Sequence, residues 1–233
     1  MKKTLTLFTF FLLFASCSSS DKTIMEQQYW LHRANSIEKA QHFQYEYAGL
    51  EIDVRYNDSL NTFFIKHDDN ESTALRLEEW CSSLENVSTL GIWFDFKNLD
   101  IYNGESAVHC LEAIRDEYHL RGSLIVEASA FNELRLFRQA GFLDSFYIPY
   151  FNPSTADSIT YQKHVETIQS AINCGVTFIS GYDFQYDFME KEFPKQDKLL
   201  WTVNTDPKYH SQLKDKTRND PTVKVILFPN DNY

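Results

Sequence analysis

Four short apolar runs in this chain each end in ionisable residues whose types suit proton transfer or cation binding. His32 and Arg33 close Y-W-L-H-R, Glu51 and Asp53 sit in L-E-I-D-V, His67 follows F-F-I-K, and Asp95 and Lys97 share I-W-F-D-F-K. Glu51 and Asp53 are two residues apart, so on a strand their side chains share one face, and two buried anions need a cation or a proton. An all-oxygen set suits a hard divalent ion, Mg2+ or Ca2+. Asp95 supplies a third ligand and leaves positions for water and substrate oxygens. Lys97, on the same face as Asp95, offers positive charge to a phosphoryl oxygen or to the carboxylates. His32 and His67 exchange protons near neutral pH, one to deprotonate an attacking oxygen and one to protonate a leaving alkoxide. With Arg33 as a bidentate phosphate contact, this is the equipment of metal-assisted phosphodiester cleavage.

Taken singly, each piece has a plainer reading. E-x-D or D-x-K alone describes solvated strand-end charges, and a lone histidine is usually a hydrogen-bonded structural residue. The recurrence at four successive strand ends is what points to a site. The other histidines, at 42, 109, 119, 164 and 210, fall in or beside expected helices and carry no assigned role.

The elements that must position these residues alternate. Strands are expected at Tyr29–Arg33, Gly49–Tyr56, Leu90–Lys97, Ser123–Ser129, Ser145–Tyr150, Val176–Tyr182, Leu199–Asn204 and Val223–Phe228. Amphipathic stretches separate them, including those beginning at Ser36, Ser106 and Phe131, and Tyr161–Cys174, which Gly175 stops. Asn61–His67 reads as an extra strand, paired with the second through a turn at Asn57-Asp58. Eight strands alternating with helices predict a single-domain (β/α)8 TIM barrel, whose active sites gather at the C-terminal strand ends. A doubly wound open sheet is the runner-up, but no glycine-rich phosphate loop follows any strand. On the same rim, Glu127 in L-I-V-E-A-S is a further carboxylate or substrate contact. Tyr147, Tyr150, Tyr182, Phe184 and Trp201 are candidates to line an apolar or sugar-binding mouth.

The first residues belong to export rather than to the fold. Lys2 and Lys3 precede an apolar run, Leu5–Phe14, then Ala15-Ser16-Cys17, the pattern of a secretory signal. The expected organisation is a signal peptide at 1–16, a tether at 17–28 and the barrel at 29–233. The segment before Cys17 is similar to a bacterial lipobox, which implies a lipid-modified Cys17. That tethers the protein to a membrane in the cell envelope, periplasmic or at the outer membrane. The formal charge of −11 lacks the basic footprint that nucleic-acid binding requires. Cys81, Cys110 and Cys174 are far apart, contain no C-x-x-C and do not form a zinc knuckle.

The order H-R-x-N-S, G-x-E-I-D-V, a hairpin ending in H-D, then D-F-K and a late L-W-T-V-N resembles the glycerophosphodiester phosphodiesterase superfamily. The resemblance runs from about Trp30 to Phe228. It implies a TIM barrel related to phosphatidylinositol-specific phospholipases C, with His32 and His67 as acid/base pair and Glu51, Asp53 and Asp95 as metal ligands. Arg33 would contact phosphate, and Trp201 and Asn204 match W-T-V-N at the mouth of the seventh strand; Asn35, Lys97 and Glu127 are further candidate substrate contacts on the residues' own reading. The family's H-R-G is H-R-A here, and its third ligand, usually Glu, is Asp95. The short stretch between His67 and Asp95 lacks a substrate-capping insertion; with L-E-E-W, G-I-W-F-D-F-K-N-L and Asn35-Ser36 it looks closer to the menorin branch.

The function expected is a metal-dependent hydrolase of a small phosphodiester or lysophospholipid-type substrate. The alternatives are a catalytically silent barrel binding a phospho- or sugar ligand, and a two-carboxylate glycosidase, which leaves the histidines unexplained.

Overall fold

The computed structural model describes residues 26–70 and 75–230. The expected signal peptide, Cys17 and most of the tether lie outside them. The chain runs β1 (Gln28–Leu31), α1 (Ile37–Phe43), β2 (Gly49–Asn57), β3 (Thr62–Ile65), α2 (Leu77–Ser82), β4 (Gly91–Phe96) and α3 (Gly104–Glu117). It continues β5 (Leu124–Ala128), α4 (Phe131–Gln139), β6 (Leu143–Tyr147), α5 (Ser158–Asn173), β7 (Phe178–Tyr182), α6 (Tyr186–Glu192), β8 (Lys198–Trp201), α7 (Pro207–Thr217) and β9 (Val223–Phe228).

Eight of these strands are parallel to their neighbours, in the order β1-β9-β8-β7-β6-β5-β4-β2, and β1 pairs back onto β2 to close the ring. This is the expected (β/α)8 barrel. β3 stands outside the ring and pairs antiparallel with β2, from Val54↔Ile65 to Asn57↔Thr62. Val54 also pairs with Phe96 of β4, while Leu50 pairs with Leu31 of β1 and Ile92 of β4. β1 and β3 therefore share one edge of β2, β1 along its start and β3 along its end.

Strand alternation divides the apolar residues into two cores. Outward-facing Leu50, Ile52, Val54, Ile92, Phe94 and Phe96 pack with the helices. Inside, Trp30, Trp93, Ile125, Phe178, Leu199, Val225 and Leu227 form a separate plug. Trp30 is fully buried, and a Cβ on Gly49 or Gly91 would stand 2.4 or 2.5 Å from its indole. Those two glycines exist because the indole takes the space beside them.

Side-chain caps set where three of the helices begin. Ser36 accepts from Lys39 N–H at α1, Asp157 from Ile159 and Thr160 N–H at α5, and Asp206 from Lys208 N–H at α7. α5 starts three residues before the expected Tyr161 because Asp157 caps it. It ends as expected, with Gly175 at φ 82° and paired bonds from Gly175 N–H to Ile172 O and Val176 N–H to Ala171 O. Among the described residues no helix is long and apolar enough to cross a membrane.

Candidate active site

The C-terminal ends of the barrel strands enclose a cavity of about 160 Å³, and ten of its thirteen lining residues are ionisable side chains or tyrosines. Glu51 and Asp53 project from β2, Asp95 from β4 and Glu127 from β5, all facing inward. The register places Asp53 beside Asp95 and Asp95 beside Glu127, so three carboxylates stand on neighbouring strands. Ligand oxygens of Glu51, Asp53 and Asp95 lie within 4.8 Å of one another.

His32 follows the last residue of β1. Its N–H donates to Phe228 O at 3.0 Å, its carbonyl accepts from Lys39 Nζ at 3.3 Å, and its ring Nδ1 lies 3.1 Å from Thr202 O. A carbonyl only accepts, so Nδ1 carries the proton and Nε2 presents a lone pair, 3.7 Å from Glu51 Oε2. Burial, reinforced by Arg33, lowers the His32 pKa from 6.5 to about 4, against the opposing pull of Asp53 and Thr202. His32 is therefore neutral across the physiological range.

The sequence pattern extends the first strand through Arg33, but β1 ends at Leu31 and Arg33 adopts φ 56°. That left-handed residue costs on the order of 1 kcal/mol or more, and the turn has a visible use. It points Arg33 N–H at Glu51 Oε2, 2.7 Å away, and brings Ala34 N–H to Glu51 O at 2.8 Å. Trp80 of α2 holds the same turn from outside, donating Nε1–H to Ala34 O at 3.0 Å. Asn35 does not line the cavity. Its amide clamps Asp53 instead, donating to Oδ2 at 2.6 Å while Oδ1 accepts Asp53 N–H at 2.9 Å.

The hairpin delivers His67. Lys66 N–H continues the ladder to Asp53 O, so the next residue arrives at the level of the carboxylates. His67 Nδ1 lies 3.1 Å from Asp68 Oδ1, and Arg55 Nε–H holds its carbonyl at 3.0 Å. Lys97, just past β4, reaches back into the cluster, with Nζ 2.8 Å from Asp53 Oδ1 and in contact with Asp95 Oδ2. Burial opposes the Lys97 charge, but Asp95 and Asp53 overcome it and hold the pKa above the usual lysine range. Burial also pushes Asp53 upward; Lys97 and Asn35 outweigh it and keep Asp53 ionised. Glu51 and Glu127 are raised well above the carboxylate range, first by burial and then by neighbouring carboxylates.

Among the described residues, five buried polar atoms in the barrel interior lack partners: Glu51 Oε1, Glu127 Oε2, Trp93 Nε1, Trp201 Nε1 and Ser145 Oγ. Orphaned acceptors beside three converging carboxylates are what a cation-binding site leaves behind when its ion is not counted. The donor set is all oxygen, which fits Mg2+ or Ca2+ and not a thiolate-seeking metal.

The remaining wall is aromatic. Tyr182 packs on Trp201 with ring centroids 3.6 Å apart, Trp201 lies 5.6 Å from His32 and 5.9 Å from Tyr147, and Tyr150 and Phe184 extend the group outward. Asn204 lies beyond β8 rather than at its end. Its Oδ1 accepts Asp206 N–H in the turn that leads into α7, so it is absent from the cavity wall. Trp93 and Leu227 line the cavity although sequence reasoning singled out neither. Trp93 was legible in principle, being two residues before Asp95 and so on the same face.

The His32 environment makes a prediction about stability. The folded pKa lies below the unfolded one, so the unfolded chain takes up the proton first as pH falls from 6.5 toward 4. The contribution is complete above 6.5 and lost through that window; at pH 4.5 the loss is about 2–3 kcal/mol. Urea unfolding at pH 7 and 4.5 is expected to show a smaller pH difference in His32→Asn than in the parent chain. An equal difference would show that His32 titrates normally in the folded state.

No family model matches the chain, and no curated protein matches it in sequence. Solved structures do match. A glycerophosphodiester phosphodiesterase from Parabacteroides distasonis superposes with a TM-score of 0.62 at 15% identity, over 87% of this chain and 92% of the other. An Oleispira antarctica phosphodiesterase, solved with the product sn-glycerol-3-phosphate, gives 0.58 at 12% identity over 87% and 92%. A calcium-dependent phosphoinositol-specific phospholipase C from Pseudomonas sp. gives 0.56 at 11% identity over 88% and 89%. At these identities the likeness establishes architecture: this chain has the barrel fold shared by the glycerophosphodiester phosphodiesterases and the phosphoinositol-specific phospholipase C.

Proposed function

We propose that the chain is a divalent-metal-dependent phosphodiester hydrolase. The observation that carries this reading is the meeting, in one cavity, of a neutral His32 with its Nε2 lone pair free and three carboxylates with oxygens within 4.8 Å of one another. In this reading His32 Nε2 accepts the proton of the attacking hydroxyl, a water or a neighbouring hydroxyl of the substrate. Thr202 O keeps the ring oriented as it becomes charged. His67, with Asp68 beside Nδ1, protonates the departing alkoxide. Arg33 and Lys97 present positive charge to the phosphoryl oxygens. Glu51, Asp53 and Asp95 would hold Mg2+ or Ca2+, and the chemistry such an ion supplies is polarisation of the phosphoryl group and neutralisation of its charge.

The aromatic wall from Trp201 to Phe184 suits the apolar part of a lysophospholipid-type substrate as well as a small glycerophosphodiester. Glu127, with Oε2 unpaired, is placed to accept a hydrogen bond from a substrate hydroxyl. The reading includes lipid anchoring through Cys17 in the cell envelope, resting on the sequence pattern, and no role with nucleic acid.

The test is hydrolysis of bis(p-nitrophenyl) phosphate, glycerophosphocholine and lysophosphatidylcholine with Mg2+, Ca2+ or EDTA, beside Glu51→Ala. Turnover that EDTA and Glu51→Ala both remove is the expected result. A folded protein with no turnover under any ion would favour the silent binding barrel.

A further inference from the structure

We infer that Lys97 is the resident cation of the carboxylate cluster and competes with the divalent ion for it, so that loading requires its ammonium to leave Asp53 and Asp95. The inference rests on the metal-binding part of the proposed function and adds how the site is regulated.

The geometry is specific about which oxygens are taken. Lys97 Nζ bridges Asp53 Oδ1 and Asp95 Oδ2, two of the three carboxylates that converge. Asp53 Oδ2 is clamped by Asn35 and Glu51 Oε2 by Arg33 N–H, which leaves Glu51 Oε1 as the buried acceptor with no partner. A dication drawn to Glu51 Oε1 and coordinated by all three residues must share or displace the oxygens that Lys97 holds. Two cations cannot occupy that spacing without strong repulsion, because the surroundings are buried and screening is weak.

Charge balance shows why both cations nevertheless belong here. Three carboxyl groups converge on a single ammonium, which leaves room at the cluster for further positive charge. One dication together with Lys97 matches the three carboxylates. Lys97 therefore has two positions. In one it sits on Asp53 and Asp95; in the other it is released toward the mouth, where a phosphoryl oxygen is its natural partner. Its side chain is 20% exposed and lies one residue past the end of β4, which leaves it room for that movement. The consequence is a site of low intrinsic affinity that fills only where divalent ions are abundant, and that takes up the ion more readily when an anionic substrate draws Lys97 away.

The decisive measurement is calorimetric titration of the full chain with MgCl2 and CaCl2, in the absence of substrate, for the parent chain, Lys97→Met and Lys97→Arg. Lys97→Met is expected to bind at least tenfold more tightly than the parent, and Lys97→Arg to stay near the parent. Thermal unfolding supplies the second readout: Lys97→Met should gain dependence on the ion, with a larger fall in Tm on EDTA addition than the parent shows. Equal or weaker binding by Lys97→Met, with the parent binding measurably, would overturn the inference and leave the proposed function standing. No binding by any of the three folded proteins would overturn it together with the metal half of that function.

Discussion

His32→Asn is expected to lower phosphodiester turnover by about 10²–10⁴-fold, the range a positioned acid/base residue contributes, while leaving the barrel folded. The substitution is chosen for its atoms. Asparagine Nδ2 replaces the ring Nδ1 as donor to Thr202 O, so the buried carbonyl keeps its partner, and only the Nε2 lone pair is removed. The loss should fall on kcat more than on KM, because the side chain acts on a moving proton rather than on bound substrate. In the ion-free chain burial lowers the His32 pKa to about 4, so the ring stays neutral and able to accept a proton through the acidic range down to that value. Steady-state kinetics beside a denaturation curve settles the point. Near-parental kcat in both His32→Asn and His67→Ala would remove the histidine pair from the mechanism.

The largest stability effect is expected at Trp30, in the interior plug beneath the candidate site. Trp30→Ala should cost about 3–5 kcal/mol in urea unfolding, the range for truncating a buried large aromatic. The cavity has little means of collapsing, because the neighbouring positions are Gly49 and Gly91, whose strands are tied on both sides. The reciprocal change, Gly91→Ala, places a methyl against the indole and should cost about 1–3 kcal/mol through overpacking. Tyr102→Ala, at a residue 91% exposed, provides the contrast and should shift stability by less than about 0.5 kcal/mol. A loss below about 1 kcal/mol at Trp30 would mean that the interior plug is looser than its burial indicates.

Most of the architecture was legible because barrel strands are apolar on both faces. Runs such as G-I-W-F-D-F and L-I-V-E-A stand out wherever they occur. The hairpin was legible for a different reason, a polar turn at Asn57-Asp58 between two apolar runs. The convergence of Glu51, Asp53 and Asp95 followed from period-two alternation once the barrel was assumed. What escaped was the conformation of single residues. Nothing in L-H-R-A announces that Arg33 turns left-handed to offer its N–H to Glu51, since arginine has no preference for that region. Asn204 was placed on the rim by its motif, yet capping geometry three residues before α7 draws its side chain away. α2 and α6, six and seven residues long, are too short for a helical period to rise above the surrounding composition.

The ring of strands is uneven in one place. β2 and β4 share six register pairs, and β1 and β9 share four, but β1 meets β2 at Leu31↔Leu50 alone. Beyond that pair the joint is continued by Ala34 N–H to Glu51 O and by Arg33 N–H to the Glu51 side chain. Glu51 is thus the stitch across the weakest join as well as a candidate ligand. Amides along this join, those of Glu51 and Ala34, should be among the first in the barrel to exchange with solvent, and an ion on Glu51 should slow them. Cylinder closure and assembly of the candidate site would then be one cooperative event, with the ligand acting as the clasp.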